Sequence, residues 1–348
     1  TEFGFDAAFW DRRVNLEFSY YYQNITNLLL FVTTPASTGY TTQLRNAGAM
    51  RNKGYELKLD VNPIRMDDFQ WVLSANYAQN RNKVRILDGF TPDAYITLTG
   101  AFAGIFNVAK EGKPLGMWYG LGWDRDAQGN IVYSSATVAD NVIGAGVINA
   151  PRWGSGIKEI GNSNPGWTGS LRSDFTFMQD WTLSVLFDAV WDFDVWNGTR
   201  GAMYNFGTHK DTEDRDDLWF NDLGQPVIWN GTAIKVIGTR TYAPGEQLRR
   251  EVYYRNYANG FNINEPHIED GSFIKLRDVS LTYRWRNIPM FDIESIVFTF
   301  SGRNLITWSD YSGYDPEVNT FQTAEGRGYD YFTLPQVRTY RFGITINY

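Results

Sequence analysis

The sequence predicts an all-β chain, an antiparallel transmembrane β-barrel or a large part of one. Three observations carry that prediction. Apolar and polar residues alternate with period two from one end of the 348 residues to the other. The links between alternating segments are short and long in strict turn, the pattern of tight periplasmic turns and long extracellular loops. Aromatic residues make up 16% of the chain, with 13 Trp, 21 Tyr and 23 Phe, which suits the aromatic girdles of a barrel.

The elements follow in chain order. Residues 2–10 form the first expected strand. In 13–31, Leu16, Phe18, Tyr20 and Tyr22 share a face opposite Asn15, Glu17, Ser19 and Gln23. In 45–61, Tyr55, Leu57, Leu59 and Val61 oppose Glu56, Lys58 and Asp60. Trp71, Leu73, Ala75 and Tyr77 mark 68–86. In 166–177, Leu171, Phe175 and Phe177 oppose Arg172, Asp174 and Thr176; in 181–196, Trp181, Leu183, Val185 and Phe187 oppose Thr182, Ser184 and Asp188. Val279, Leu281, Tyr283 and Trp285 define 271–285, and Ile296, Phe298 and Phe300 define 294–308. The last strand, 337–348, presents Tyr340, Phe342, Ile344, Ile346 and Tyr348 on one face and Arg341 and Thr345 on the other. About nine strands result.

The polar faces carry both signs of charge, as a wet lumen does. Arg172, Asp174, Asp188, Arg284, Arg303 and Arg341 are expected to face inward, because charge on the lipid face costs about 2–4 kcal/mol at the midplane. Short links are expected at Asp11-Arg12, Asn62 to Asp67, Met178 to Asp180 and Arg286 to Asp292, and long extracellular loops at about 33–44, 86–165, 196–269 and 309–336. Nine strands leave two unpaired edges that lipid cannot satisfy, so further strands are expected to close the barrel. The chain opens on Thr1 with nothing like a signal peptide, and reads as a processed form or a fragment.

Bulk properties exclude other classes. No apolar run approaches the 18 or more residues of a spanning helix. A net charge of −7 argues against binding nucleic acid through a basic face. There are no cysteines, so no disulfide framework and no thiolate chemistry. The two histidines, His209 and His267, stand far apart. No carboxylate pair stands out for glycoside hydrolysis. The reading is of a protein that is not an enzyme, with no cofactor and no metal centre.

Several stretches resemble the SusC/RagA family of TonB-dependent transporters of Bacteroidota outer membranes. They are Asn46-Ala-Gly-Ala-Met-Arg-Asn-Lys-Gly-Tyr-Glu56, Lys110-Glu-Gly-Lys-Pro-Leu-Gly-Met-Trp-Tyr-Gly120, Asn162-Ser-Asn-Pro-Gly-Trp-Thr-Gly169, Glu269-Asp-Gly-Ser-Phe-Ile-Lys-Leu-Arg-Asp-Val-Ser-Leu-Thr-Tyr283, Ser301-Gly-Arg-Asn-Leu-Ile-Thr-Trp308 and Tyr311-Ser-Gly-Tyr-Asp-Pro-Glu317. They occur in the family's order along nearly the whole chain. The resemblance implies that 1–348 is the C-terminal portion of a twenty-two-stranded, plugged barrel, with the plug and the TonB-engaging segment outside this sequence. It further implies active import of oligosaccharides or peptides, energy from TonB, and a SusD-like lipoprotein capping the extracellular loops. It also implies that the terminal strand, with Tyr340, Phe342, Ile344, Ile346 and Tyr348, is what the outer-membrane assembly machinery recognises.

Aromatics of the long loops, Trp118, Tyr119, Trp123, Trp153, Trp219 and Trp229, are candidates for stacking on a ligand; packing within the loops is the competing reading. Asp124 to Asn130 opens like a calcium loop, but Ser135 stands where the bidentate carboxylate belongs, and a hairpin tip explains Gly129 and Asn130 as well. His209 to Asp217 reads as a solvated loop face. Asn46, Gly48, Asn52, Gly54, Asn304, Asp315 and Glu317 read as structural. A passive porin or barrel scaffold is the alternative function, and a soluble carbohydrate-binding sandwich the third.

Overall fold

The computed structural model describes all residues except 35, 36, 38, 89–93, 101, 102, 145, 287, 289–292 and 323–325. Nine long strands form one sheet: β1 (Glu2–Phe9), β2 (Val14–Thr33), β3 (Thr42–Arg65), β4 (Phe69–Leu87), β5 (Trp167–Phe177), β6 (Trp181–Trp191), β7 (Phe273–Arg286), β8 (Ser295–Ser309) and β9 (Thr339–Asn347). Each pairs antiparallel with its neighbour in this order, with no crossover. Each expected strand is present within a few residues of its expected ends. β1 and β9 pair on one side only among the described residues, so the sheet is open in this chain.

The differences at strand ends have local causes. β3 runs on to Arg65 through an irregularity between Val61 and Ile64, which shortens the expected link at 62–67 to residues 66–68. The sixth strand stops at Trp191 rather than 196, because Asp192 takes a left-handed φ of 64°. Beyond it, Asp194–Asn197 pairs with Ile268–Asp270 and with Tyr329–Asp330 in a separate sheet. Trp10, Asp11 and Arg12 all take positive φ in the first tight turn, and Met178 and Gln179 do so between β5 and β6. The expected link from Arg286 to Asp292 falls largely outside the described residues.

Register fixes two faces, because a one-residue slip would move every side chain to the other side. One row on the outer face runs Ala7, Leu16, Leu59, Ala75, Leu171, Phe187, Leu276 and Ile306. Another runs Trp71, Phe175, Leu183, Leu281, Phe300 and Phe342. These side chains are apolar, yet many are open to the surroundings, including Phe300 at 53% and Phe342 at 67%. The opposite row carries Glu17, Lys58, Asn76, Ser170, Asp188 and Lys275.

The buried core lies elsewhere, in a layer that the long connections build against the upper inner face. The expected loop 86–165 contains a four-stranded sheet of Tyr95–Gly100, Phe106–Lys110, Met117–Trp123 and Trp153–Asn162. The 196–269 connection contains helix α1 (Gly198–Phe206), capped by the Asn197 side chain on Arg200 N and ended by Gly207 at φ 68°. Short strands at Ile228–Trp229 and Glu246–Gln247 pair beside Val147–Ile148. Val84, Leu87 and Leu30 of the sheet pack with Ala109, Ile96 and Leu115 of the layer. Phe273 and Val190 pack with Phe193, Val195, Tyr311 and Val318.

Candidate functional site

The layer is held to the wall by polar side chains of β4 and of the motif stretches. Asn82 Oδ1 accepts from Leu115 N at 2.6 Å, and Asn164 Nδ2 donates to Leu115 O at 2.6 Å. Gly112 and Gly116, at φ 83° and 86°, give the two bends that bring this loop to the wall. Gly54 is a close-approach position: a Cβ there would lie 2.2 Å from Gln79 O and 2.4 Å from the Tyr21 hydroxyl. Asn46, Gly48 and Asn52 stand on the same strand, β3, where the register slips at 46–48 against β2.

Lys275 sits on the inner face of β7, 1% exposed. Its ammonium lies 2.7 Å from Asp315 Oδ1 and 2.8 Å from Glu317 Oε2. Arg277, on the irregularity of the same strand, donates to Glu317 at 3.0 Å, to Asp188 at 2.7 Å and to Asn304 Oδ1 at 3.0 Å. Asn304, itself at φ 53°, donates to Val337 O. Burial works against the charged form of Glu317, but the hydrogen bonds from Lys275 and Arg277 win and hold its carboxyl below the usual range. Nearby, the Tyr311 hydroxyl donates to Asp330 Oδ2 at 2.6 Å, and burial pushes the phenol well above its ordinary value. Asp315 and Glu317 are thus the anions of a buried ion cluster as well as turn residues.

Beneath the layer the inner face hollows into a recess of about 570 Å³, lined by Glu17, Ser19, Glu56, Lys58, Ser170, Asp188, Arg277 and Glu317. Lys58 pairs with Glu17 at 2.8 Å, so the lining is charged but largely neutralised. Of the expected lumen charges, Arg172 pairs with Asp174, Asp188 with Arg277, and Arg303 with Asp278. Such a surface is suited to water and polar groups rather than to lipid.

The loop aromatics take a different place from the one expected for ligand stacking. Trp118 is fully buried against Trp196 and Tyr329, with Nε1 donating to Asp194 O. Tyr119 packs with Val108 and Met117. Trp123, Trp219 and Trp229 share the largest cluster, with Trp153 half-buried at its edge. In this conformation all six rings serve packing, because a loop layer of this size needs its own apolar core. Their sequence neighbourhoods carry no sign of which aromatic is buried. Asp126 closes the 124–130 tip as a hairpin turn, accepting from the backbone N of Gln128 and Asn130. Most of the 209–217 stretch is exposed, as expected of a solvated face, but it is anchored: His209 caps a 3₁₀ turn, Thr212 is buried, and the Tyr204 hydroxyl donates to Asp211 at 2.5 Å.

His267 is fully buried beside α1. Its Nε2 donates to Ala258 O at 2.7 Å, and burial lowers its pKa to about 4, so the ring is neutral. Exposed loop aromatics and aliphatics include Tyr314 at 85%, Leu334 at 88% and Phe332 at 54%, in the segments tied down by Asp315 and Asp330, besides Phe206, Leu223, Ile234 and Val236 in the 196–269 connection; none of them is a ligand-stacking candidate in the sequence. Pattern alone does not signal them, since they belong to no periodic segment.

The family described as "TonB dependent receptor-like, beta-barrel" matches residues 1–305. The chain is 27% identical over its full length to TonB-dependent receptor P3 of Formosa agariphila, of which it covers 34%. It is 31% identical over 98 residues to TonB-dependent receptor SusC of Bacteroides thetaiotaomicron, covering 28% of this chain and 10% of that relative. In solved structures, it resembles the RagAB peptide importer in the "open-open" state, with TM-score 0.70, 18% identity, and coverage of all of this chain and 34% of the other. The chain therefore spans about a third of the length of the full-coverage relatives it matches.

Proposed function

The chain belongs to the TonB-dependent receptor-like β-barrel family, and from that premise we propose that it forms the C-terminal wall and extracellular loops of an outer-membrane importer. The observation that carries the proposal is the predominantly apolar band on the outer face across nine registered strands, backed by a charged, hollowed inner face. On β5, the eleven residues from Trp167 to Phe177, at about 3.3 Å each and a tilt near 40°, span roughly 25 Å, the height of a barrel's apolar band. Trp167 stacks with Trp191 and Tyr77 at one border, and Phe177 with Trp181 at the other. These pairs read as the two aromatic girdles.

The importer takes up oligosaccharides or peptides, with a SusD-like surface lipoprotein closing over the loops and TonB acting through parts of the protein beyond this sequence. Relatives named SusC and RagAB support this reading. Ligand collects between lid and loop layer, then passes along the charged recess as the plug is displaced. Extracellular loops lie at about 33–44, 86–165, 196–269 and 309–336 of one barrel portion, 1–348. The exposed Tyr314, Phe332 and Leu334 fit a lid or ligand contact better than the buried tryptophans do. The family is one of receptors and transporters, and no catalytic role is assigned. β9, with Tyr340, Phe342, Ile344 and Ile346 all exposed on the outer face and Tyr348 just beyond, serves as the assembly signal.

The test is purification of the full-length protein from outer membranes with its neighbours. A co-purifying surface lipoprotein and TonB-dependent uptake support the proposal. Solubility without detergent sinks it. Uptake that persists without TonB favours the passive porin.

A further inference from the structure

Just above the upper girdle the outer face changes character. Tyr20 and Tyr55 stand side by side there, ring centroids 5.1 Å apart. One level higher, Tyr22, Lys53 and Arg81 are neighbours across β2, β3 and β4; at the next level come Asn24, Arg51 and Lys83. Lys53 therefore faces Arg81, and Arg51 faces Lys83. Like charges directly opposite across strands destabilise a sheet, and here two such pairs are consecutive. Among the described residues no carboxylate pairs with any of the four, and the acidic neighbours Glu56 and Glu17 point to the inner face. Arg51 lies over the Tyr22 ring at 5.8 Å, and its Nε has no acceptor.

Two levels of a tilted strand rise about 10 Å above the girdle, the depth of lipid headgroups rather than of acyl chains. A quartet of unneutralised cations at that depth calls for an anion from the membrane side. We propose that Arg51, Lys53, Arg81 and Lys83 bind the phosphate of a phosphorylated lipid headgroup in the outer leaflet. Charge complementarity selects phosphate, and continuity with the apolar face below selects a lipid, whose acyl chains lie along Leu57 and Tyr77 while its headgroup meets the cations. Arginine offers planar, two-pronged donation to phosphate oxygens, and lysine a compact charge beside it. The inference rests on the outer face being lipid-facing.

The experiment uses the full-length protein in detergent, titrated with bisphosphorylated lipid A, with its dephosphorylated form and with inorganic phosphate, and read by native mass spectrometry. Lipid A is expected to bind, with the dephosphorylated form and free phosphate each at least about tenfold weaker. R51Q/K53Q/R81Q/K83Q is expected to weaken lipid A by at least about tenfold, while R51K/R81K keeps binding and all variants keep the heat-modifiable gel mobility of a folded barrel. If the quadruple variant fails to fold, K53Q/K83Q is read instead, with an intermediate loss expected. Unchanged binding in the folded Gln variant, or equal binding of the dephosphorylated lipid, overturns the proposal. Free phosphate binding as tightly as lipid A also overturns it, by making this a general anion site. Solubility without detergent is a separate outcome, and removes the lipid-facing premise instead.

Discussion

The ammonium of Lys275 lies 2.7 Å from the Asp315 carboxylate, with both side chains almost fully buried. Forty residues separate them, and they come from two different motif stretches. The pair joins the top of β7 to the connection that precedes β9. Glu317 and Arg277 extend it to Asp188 on β6. A buried ion pair adds little net stability, but removing one partner strands a charge, which costs about 3–5 kcal/mol.

Lys275→Met should therefore free the 310–338 connection while leaving the sheet folded. Hydrogen exchange of the full-length protein should show lost protection around Tyr311 to Asn319 and normal protection in β7 and β8. K275M/D315N should recover part of the loss, because the stranded charge is gone. Equal protection in the wild type and Lys275→Met would mean that the cluster does not hold the connection.

Acidification should loosen the loop layer around α1. The pKa of His267 in the fold is lowered to about 4 by burial, against an ordinary value near 6.5, with Arg200, Glu269 and His209 as its charged surroundings. A depressed base binds fewer protons folded than unfolded, so its contribution is intact above pH 6.5. It is lost as pH falls from 6.5 to 4, by on the order of 3 kcal/mol. Glu317, a depressed acid, begins to lose its contribution only below its ordinary value of 4.5, whereas Asp140, Asp194 and Asp330, whose carboxyls burial raises, act with the opposite sign, so from pH 6.5 to 4.5 the His267 contribution is the difference between the wild type and His267→Phe. Protease susceptibility of the 198–267 region should rise more steeply from pH 6.5 to 4.5 in the wild type than in His267→Phe.

How far the sequence was readable follows from what each part is solvated by. Strands facing lipid on one side and water on the other must alternate, so Trp181, Leu183, Val185 and Phe187 announced β6 by spacing alone. The layer above has no such constraint. Its core draws Trp123, Val147, Trp219, Val227 and Ile263 from distant turns and very short strands, and no window holds a period. Trp118 and Tyr314 look alike in sequence, although one is buried and the other open. Asp315 gave away its motif but not its partner, because Lys275 is distant in sequence and enters from a strand pattern.

Trp118→Ala should act on the fold of the loop layer before it acts on ligand. The ring is fully buried, edge-on to Tyr329 at 4.5 Å between centroids, and its Nε1 is hydrogen-bonded. Truncating a buried Trp costs about 3–5 kcal/mol. Uptake should fall together with rising proteolysis of the 95–165 region, at normal barrel mobility. Lost uptake with an intact, protease-resistant layer would return Trp118 to the ligand-stacking role.

Gly54 and Gly343 make a matched test of what the β3 motif is for. Both lie within strands of the same sheet, so propensity alone treats them alike. A Cβ at Gly54 meets the Gln79 carbonyl, a backbone atom that cannot move without breaking the β3–β4 ladder, and the Tyr21 ring lies across the same space. A Cβ at Gly343 meets only Thr299 Cβ at 4.0 Å, an ordinary contact. Gly54→Ala should reduce the fraction of protein reaching the heat-modifiable folded form, whereas Gly343→Ala should change stability by no more than about 0.5 kcal/mol. Gly54→Ala with Tyr21→Ala should not recover fully, since the carbonyl clash remains. Wild-type assembly of Gly54→Ala would show that the strands can spread enough to admit a methyl group, and that the glycine in this motif is dispensable for packing.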